Sequence, residues 1–226
     1  MTSPPEQADA ALLRLQRLDA CALSDALDRL GLKGVATGLA QQSGSLRICG
    51  RAITVKIGVG SPPPGPARHL GTTAVELAGP DNVIVVEQRS GVEAGCWGGL
   101  LTLGAKMRGV AGVIADGPVR DIDEARAHDF PIFTHTLTAL TARGRVVELG
   151  TNVGITVGSV SVMPGDYVVA DRSAAVFVTA ADIGRVLDAA EMIAGREAAM
   201  ARALVAGKPI SGVMGGDYEH MLQPAP

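Results

Sequence analysis

One stretch constrains this 226-residue chain more than any other: GVEAGCWGGLLTLGAKMRGVAGVIADGPVRD, residues 91–121. Gly98 and Gly99 stand before LLTLGAKM, where Leu100, Leu103 and Met107 recur at helical spacing, so a helix is entered through a glycine turn. The apolar run GVAGVIADG that follows reads as a buried strand closed by the Asp116-Gly117 turn. A helix feeding a buried strand asks for a sheet covered by helices, an α/β fold. The glycine entry turns the N–H groups of Gly98, Gly99, Leu100 and Leu101 outward at the positive end of a helix, a seat for a carboxylate or phosphate. Arg120 and Asp121 leave the next turn side by side, a fork of donors beside a hard oxygen ligand. Together they suit a metal-bound oxo acid. The plain alternative is an ordinary glycine turn and a helix-start charge pair.

Composition narrows the classes. With 47% apolar and 19% charged residues the chain can bury a sizeable core. A net charge of -3 argues against nucleic acid as a partner. No apolar run approaches the ~20 residues of a membrane span, and MTSPPEQADA lacks the features of a signal peptide. Cys21, Cys49 and Cys96 are scattered, which fits a reduced, cytoplasmic setting. His69, His128, His135 and His220 show no ligand spacing, which disfavours a zinc site. No lysine stands in an evident buried site near the central stretch, which disfavours Schiff-base chemistry.

Along the chain, residues 1–8 read as a disordered leader, 9–207 as a single domain and 208–226 as a tail. Leu12, Leu15 and Leu18 mark an N-terminal helix stopped at Gly31, with Ser24 as N-cap of a second piece and Asp25 in its first turn. SLRICGRAITVKIG and NVIVVEQRSG read as strands, TTAVELAG and DIDEARAHDF as short helices, and SPPPGP as a loop. From PIFTHTLTA to AAVFV a period near two, broken by glycines, predicts short antiparallel strands. Thr179–Asp182 caps a last helix running to about Ala206. Its apolar stripe runs through Ile183, Leu187, Ala190, Ala194, Ala201 and Leu204, and Glu197 falls within it. A carboxylate there needs a partner: a structural salt bridge or a site in an adjacent subunit.

The pattern WGGLLTLGAKMRGVAGVIADGPVRD resembles the signature of the class II 4-hydroxy-4-methyl-2-oxoglutarate / 4-carboxy-4-hydroxy-2-oxoadipate aldolases and the regulator of ribonuclease activity A, an RraA-like family. The likeness runs from about Leu18 to about Leu204. It implies a compact α/β sandwich of the swivelling phosphohistidine-domain-like type with N- and C-terminal helices, assembled as a homotrimer or homohexamer with sites at subunit interfaces. It implies a lyase dependent on Mg²⁺ or Mn²⁺ that releases pyruvate from a 2-oxo acid, or decarboxylates oxaloacetate, through a metal-stabilised enolate. Asp121 would hold the metal, Arg120 the keto oxygen, Gly98–Leu101 the carboxylate, Asp25 a proton, and Glu197 would stand near the metal of an adjacent subunit. The same family includes non-catalytic protein-binding regulators. The chain departs from it at Gly99, where aldolases carry Asp or Glu, at His135-Thr136 in place of Arg-Gly, and at Ala174–Ala175 in place of an acidic-glycine turn. Those changes leave room for a family member repurposed to another reaction.

Overall fold

Four consecutive β-branched and apolar residues, Val83–Val86, are buried on both faces, as a central strand of a covered sheet requires. The computed structural model describes residues 9–66 and 68–215; the expected leader 1–8 and the end of the tail, His220 included, lie outside the described residues. In chain order the elements are α1 (Ala10–Leu15), α2 (Ala20–Arg29), β1 (Val35–Ala36), β2 (Ala40–Ser43), β3 (Ile48–Gly58), α3 (Thr72–Leu77), β4 (Asn82–Gln88), α4 (Gly99–Met107) and β5 (Gly112–Asp116). They continue with α5 (Ile122–Ala127), β6 (Ile132–Thr134), β7 (Val147–Thr151), β8 (Ile155–Val157), β9 (Val160–Val162), β10 (Tyr167–Ala170), β11 (Ala175–Val178), α6 (Ile183–Val205) and α7 (Ile210–Val213).

Nine strands form one sheet in the order β1-β11-β10-β3-β4-β5-β6-β2, with β7 added to β3, and β8-β9 is a separate hairpin. The fold is α/β. Strands β3 to β6 run parallel, linked by α3, α4 and α5, while β10, β11, β1, β2 and β7 pair antiparallel. Period-two alternation sorts each strand between two cores. One face of the curled sheet carries Ala52, Val85, Ile114, Phe133, Val168 and Phe177 and is closed by the β8-β9 hairpin. The other face packs α3, α4 and α5 over β3–β6, and α1, α2 and α6 over β10 and β11.

Three sequence expectations change. The N-cap of α2 is Asp19, whose carboxylate accepts the Ala22 N–H at 2.8 Å, so Ser24 is interior and Asp25 sits mid-helix. The strand at Ile132–Thr134 pairs antiparallel with β2 but parallel with β5, because the α5 crossover returns the chain to the same sheet end. The stripe on α6 is fully buried only from Ile183 to Ile193; Ala194 and Met200 are partly buried against the same cluster, and Ala201 and Leu204 are exposed. The expected capping box before α6 forms by half: the Asp182 N–H donates to Thr179 Oγ1 at 3.1 Å, but the Asp182 carboxylate takes the Thr179 hydroxyl at 2.7 Å, and Asp182 itself stands at the N-cap without a side-chain cap.

Candidate functional site

The parallel strands deliver β4 and β5 to the same sheet edge, where the carboxyl ends of an α/β sheet conventionally hold ligands. Their following loops are zipped together. The Cys96 N–H donates to the Pro118 carbonyl at 2.8 Å and the Arg120 N–H to the Trp97 carbonyl at 3.0 Å. This pairing brings the glycine turn and the DGPVRD turn, more than twenty residues apart, into one wall. The result is a cleft of about 230 Å³ lined by Gly98, Gly99, Leu100, Leu101, Arg120 and Asp121, with His69, Trp97, Thr141 and Arg143 opposite or behind them.

Gly98 lies close under the Arg120 and Asp121 side chains. A Cβ there would come 2.9 Å from Asp121 Oδ2 and 3.2 Å from Arg120 Cγ. The Arg120 stem therefore lies flat on backbone and its guanidinium reaches the cleft with about a third of the side chain exposed. Its Nε–H donates to Asp121 Oδ1 at 3.3 Å, which fixes the fork and leaves its terminal nitrogens for a ligand. Asp121 sits at φ 58, in the left-handed region, as N-cap of α5. Asp tolerates that conformation better than most residues. Its carboxylate does not cap its own helix; instead Oδ2 accepts the Gly99 N–H of α4 at 3.0 Å. The strain and the unspent cap mark a side chain held for another purpose.

The first turn of α4 leaves its opening N–H groups without intrahelical partners. Asp121 takes that of Gly99, and among the described residues no acceptor meets those of Leu100 and Leu101. The apolar side of α4 is partitioned by packing. Leu101, Thr102 and Ala105 are buried, whereas Leu100, Leu103 and Met107 point outward, with Leu100 87% and Met107 80% exposed.

Asp25 and Glu197 are placed elsewhere. They face each other between α2 and α6, and neither lines the cleft. Burial, then the neighbouring Asp28 and Asp19, push the Asp25 carboxyl above its ordinary range; burial, Asp25 and Asp19 do the same for Glu197. Among the described residues no cation pairs with Glu197, so the intrachain salt bridge expected from its place in the stripe is not formed. A carboxyl whose folded pKa is raised favours the fold below its ordinary pKa, and that contribution is lost as pH rises through the raised value. Asp25→Asn is therefore expected to raise the melting temperature at pH 7.5 by roughly 2 °C, with the gain shrinking as pH falls toward the ordinary carboxylate range. Differential scanning calorimetry of both proteins across pH checks this. No gain at pH 7.5 would mean that a group outside this chain neutralises the charge.

Sequence reasoning did not bring His69 or Arg143 to the site. His69 and Arg143 sit in irregular loops and reach the cleft only through tertiary packing, so no spacing could have flagged them. The cysteines stay unpaired, and burial pushes Cys49 and Cys96 up to about 12, too high for a thiolate nucleophile. Among the described residues no three His, Cys, Asp or Glu side chains converge as a metal cluster, and no helix is long and apolar enough to cross a membrane.

Comparison with known proteins places this geometry. A family model described as RraA-like, Aldolase/RraA, matches residues 20–177. Protein DlpA of Legionella pneumophila is 26% identical over 160 residues, 71% of this chain, and the chain spans only 26% of DlpA's length. A protein of Halalkalibacterium halodurans provisionally named a 4-hydroxy-4-methyl-2-oxoglutarate aldolase is 32% identical over 151 residues, 66% of this chain and 67% of its own length. Among solved structures, an uncharacterised protein of Pseudomonas syringae superposes with TM-score 0.80 at 27% identity, covering 95% of this chain and all of that one. RraAS2 of Streptomyces coelicolor, described as an unusual member of the RNase ES inhibitor RraA family, superposes with TM-score 0.73 at 26% identity, covering 86% and 97%.

Proposed function

This chain belongs to the RraA-like family of aldolases and RraA proteins, and on that footing we propose that it is a divalent-metal-dependent carbon–carbon lyase that releases pyruvate from a 2-oxo acid. The observation that carries the reading is the convergence of Arg120, Asp121 and the free first-turn N–H groups of α4 on one small cleft. A protein-binding scaffold has no chemical need for that set.

The donor set fits a hard cation. Asp121 offers carboxylate oxygen at the cleft, about a third exposed, with neither thiolate nor paired imidazoles nearby to draw a softer ion. Mg²⁺ and Mn²⁺ keep several waters and need only one or two protein carboxylates when the substrate supplies oxygens. When bound, the ion would act as a Lewis acid toward the substrate's keto oxygen. The rest of the work falls to the chain. The Leu100 and Leu101 N–H groups grip the substrate carboxylate at the positive end of α4. The Arg120 guanidinium, already aligned by Asp121, faces the keto oxygen and stabilises the charge that collects there as the C3–C4 bond breaks. Because these donors are set before substrate arrives, little reorganisation opposes the step. The proton of the C4 hydroxyl passes to a water or to Asp25, whose raised pKa suits a base. Asp25 is far from this cleft in its own chain, so it and Glu197 would serve the site of a neighbouring copy in a trimer or hexamer. The three unpaired thiols suit the cytoplasm, and residues 9–207 would act as one domain.

The test is pyruvate release from oxaloacetate and from 4-hydroxy-4-methyl-2-oxoglutarate with Mg²⁺, Mn²⁺ or chelator. Turnover restored by metal after chelation is the expected result. Absence of turnover with either metal and either substrate would defeat the reading. A second reading then stands, a non-catalytic protein-binding regulator, favoured by the outward apolar face of α4 at Leu100, Leu103 and Met107.

A further inference from the structure

The loop SPPPGP, residues 61–66, and the chain from Ala142 to Glu148 enclose a second cavity of about 390 Å³ beside the cleft. The two spaces share a border of four residues, His69, Leu70, Ala142 and Arg143. Alone, the cleft of about 230 Å³ is smaller than the ~300 Å³ at which ligand pockets usually begin, and the two together fall well inside the usual range. The second cavity is walled for apolar contents. Pro62, Pro63 and Pro66 carry no N–H and hold a fixed φ, so they offer a wall without donors. Leu70 and Val146 rise from the core that also holds Trp97 and Leu101. Two sets of bonds hold the sides in place. The Gly71 N–H donates to the Glu148 carboxylate at 2.6 Å, and the Arg145 and Val146 N–H groups both donate to the Ala142 carbonyl, at 2.9 and 3.1 Å.

The charged groups around this cavity are committed, with one exception. Arg68 pairs with Glu76 at 3.1 Å, Glu148 takes the Gly71 N–H and the Thr151 hydroxyl, and His69 Nδ1 lies 2.9 Å from the Leu70 carbonyl. Arg143 is the exception: among the described residues its guanidinium enters no hydrogen bond or ion pair, and it lines both spaces. The direction of a bound substrate follows. With its carboxylate on the α4 N–H groups and its keto oxygen at Arg120, two sides of the cleft are taken. Atoms beyond C3 then face His69, Leu70, Thr141, Ala142 and Arg143, four of which border the second cavity.

We propose that the second cavity receives the C4 substituent of the substrate, and that this substituent is a bulky apolar group, alkyl or aryl, on a 4-hydroxy-2-oxo acid. The proposal rests on the lyase reading above and names its substrate class. Arg143, at the border, donates to the C4 oxygen. Cleavage balances without a co-reactant. The C4 hydroxyl gives up its proton as C4=O forms, the C3–C4 electron pair stays with the pyruvate half, and C3 takes up a proton. The products are pyruvate and an apolar aldehyde or ketone.

The experiment measures pyruvate release by the full-length chain, with Mg²⁺ or Mn²⁺, from 4-hydroxy-2-oxo acids carrying methyl, butyl or phenyl at C4 and from 4-hydroxy-4-methyl-2-oxoglutarate. For butyl and phenyl, kcat/KM is expected at least about 10-fold above methyl. Val147→Phe narrows the second cavity from a strand position that suits an aromatic ring. Pro63→Glu sets a charge on its exposed wall, and serves if the first variant fails to fold. Each should cut the advantage of butyl and phenyl over methyl by several-fold, with thermal melts in parallel to show that the variants are folded. An advantage unchanged in the folded variants would overturn the proposal. Fastest release from the glutarate, with no gain from butyl or phenyl, would overturn it while the lyase reading stood, and would give Arg143 to a second carboxylate. No pyruvate from any of these substrates with either metal would overturn both.

Discussion

Replacing Asp121 by asparagine should reduce metal-dependent pyruvate formation by about 10³-fold or more while the protein stays folded. Asparagine is the discriminating choice because Asp121 adopts φ 58. Asn tolerates that left-handed conformation nearly as well as Asp, whereas alanine adds backbone strain to the loss of the carboxylate. Asn can also still accept the Gly99 N–H, the bond that ties α5 to α4 at 3.0 Å. What it loses is charge: the anionic oxygen that would hold the cation and the counter-charge that aligns the Arg120 Nε at 3.3 Å. Both losses act on the same developing negative charge, so they compound. Arg120→Lys should fall between, with kcat down by about 10²-fold, since an ammonium keeps the charge but not the planar fork that Asp121 aligns. Steady-state kinetics at saturating Mg²⁺, with Mn²⁺ affinity measured alongside, separates the two. An Asp121→Asn enzyme that kept a tenth of wild-type turnover would remove Asp121 from the role of cation ligand.

The parallel half of the sheet was legible because local signals there agree. Val83–Val86, the Asp116-Gly117 turn and the glycine entry to α4 each carry their own propensity, and packing confirms them. What failed to read out depended on choices between near-equivalent neighbours. Asp19 and Ser24 are both good N-caps, and the apolar contacts of Leu23, Ala26 and Leu27 with α6 favour the earlier start. The strand at Ile132 alternates like its antiparallel successors, and only the crossover length of α5 dictates its direction. The stripe on α6 continues past Ile193, but a stripe reports what a helix could bury, and among the described residues the second half is only partly covered, through Ala194 and Met200.

The candidate site divides along the same line. Gly98 to Leu101 were readable as a donor turn, and Arg120-Asp121 as a pair, because each is contiguous in sequence. That the two lie against one another depends on the 96–118 and 97–120 backbone bonds, which no residue pattern encodes. The absence of an acid at Gly99 reads, in sequence, as a weakened metal site. In space the exposed Glu124 carboxylate, twenty-five residues later, lies where a side chain at position 99 would start, a neighbour that no spacing in the sequence announces.

Trp97→Ala is expected to be the most destabilising single change at the cleft, costing about 3–5 kcal/mol and lowering the melting temperature by roughly 8–15 °C in a chain of this size. Trp97 is 1% exposed and packs in the core beneath α3 and α4. Its removal opens a cavity that the strand-bound loops on either side cannot collapse into, because the Trp97 carbonyl is held by the Arg120 N–H. The indole also donates to Thr102 Oγ1 at 2.9 Å, and that hydroxyl donates on to the Gly98 carbonyl at 3.0 Å. The chain of bonds fixes the first turn of α4, whose free N–H groups are proposed to hold the substrate carboxylate. Trp97→Phe isolates this second role. It keeps most of the ring volume and drops the N–H, so about 1–2 kcal/mol of stability should go while KM rises several-fold with kcat nearly unchanged. Thermal melts and kinetics on both variants would weigh the two roles. A phenylalanine variant as unstable as the alanine one would shift the weight from the ring to its hydrogen bond. Unchanged KM in the phenylalanine variant would instead mean that α4 presents its donors without help from Trp97.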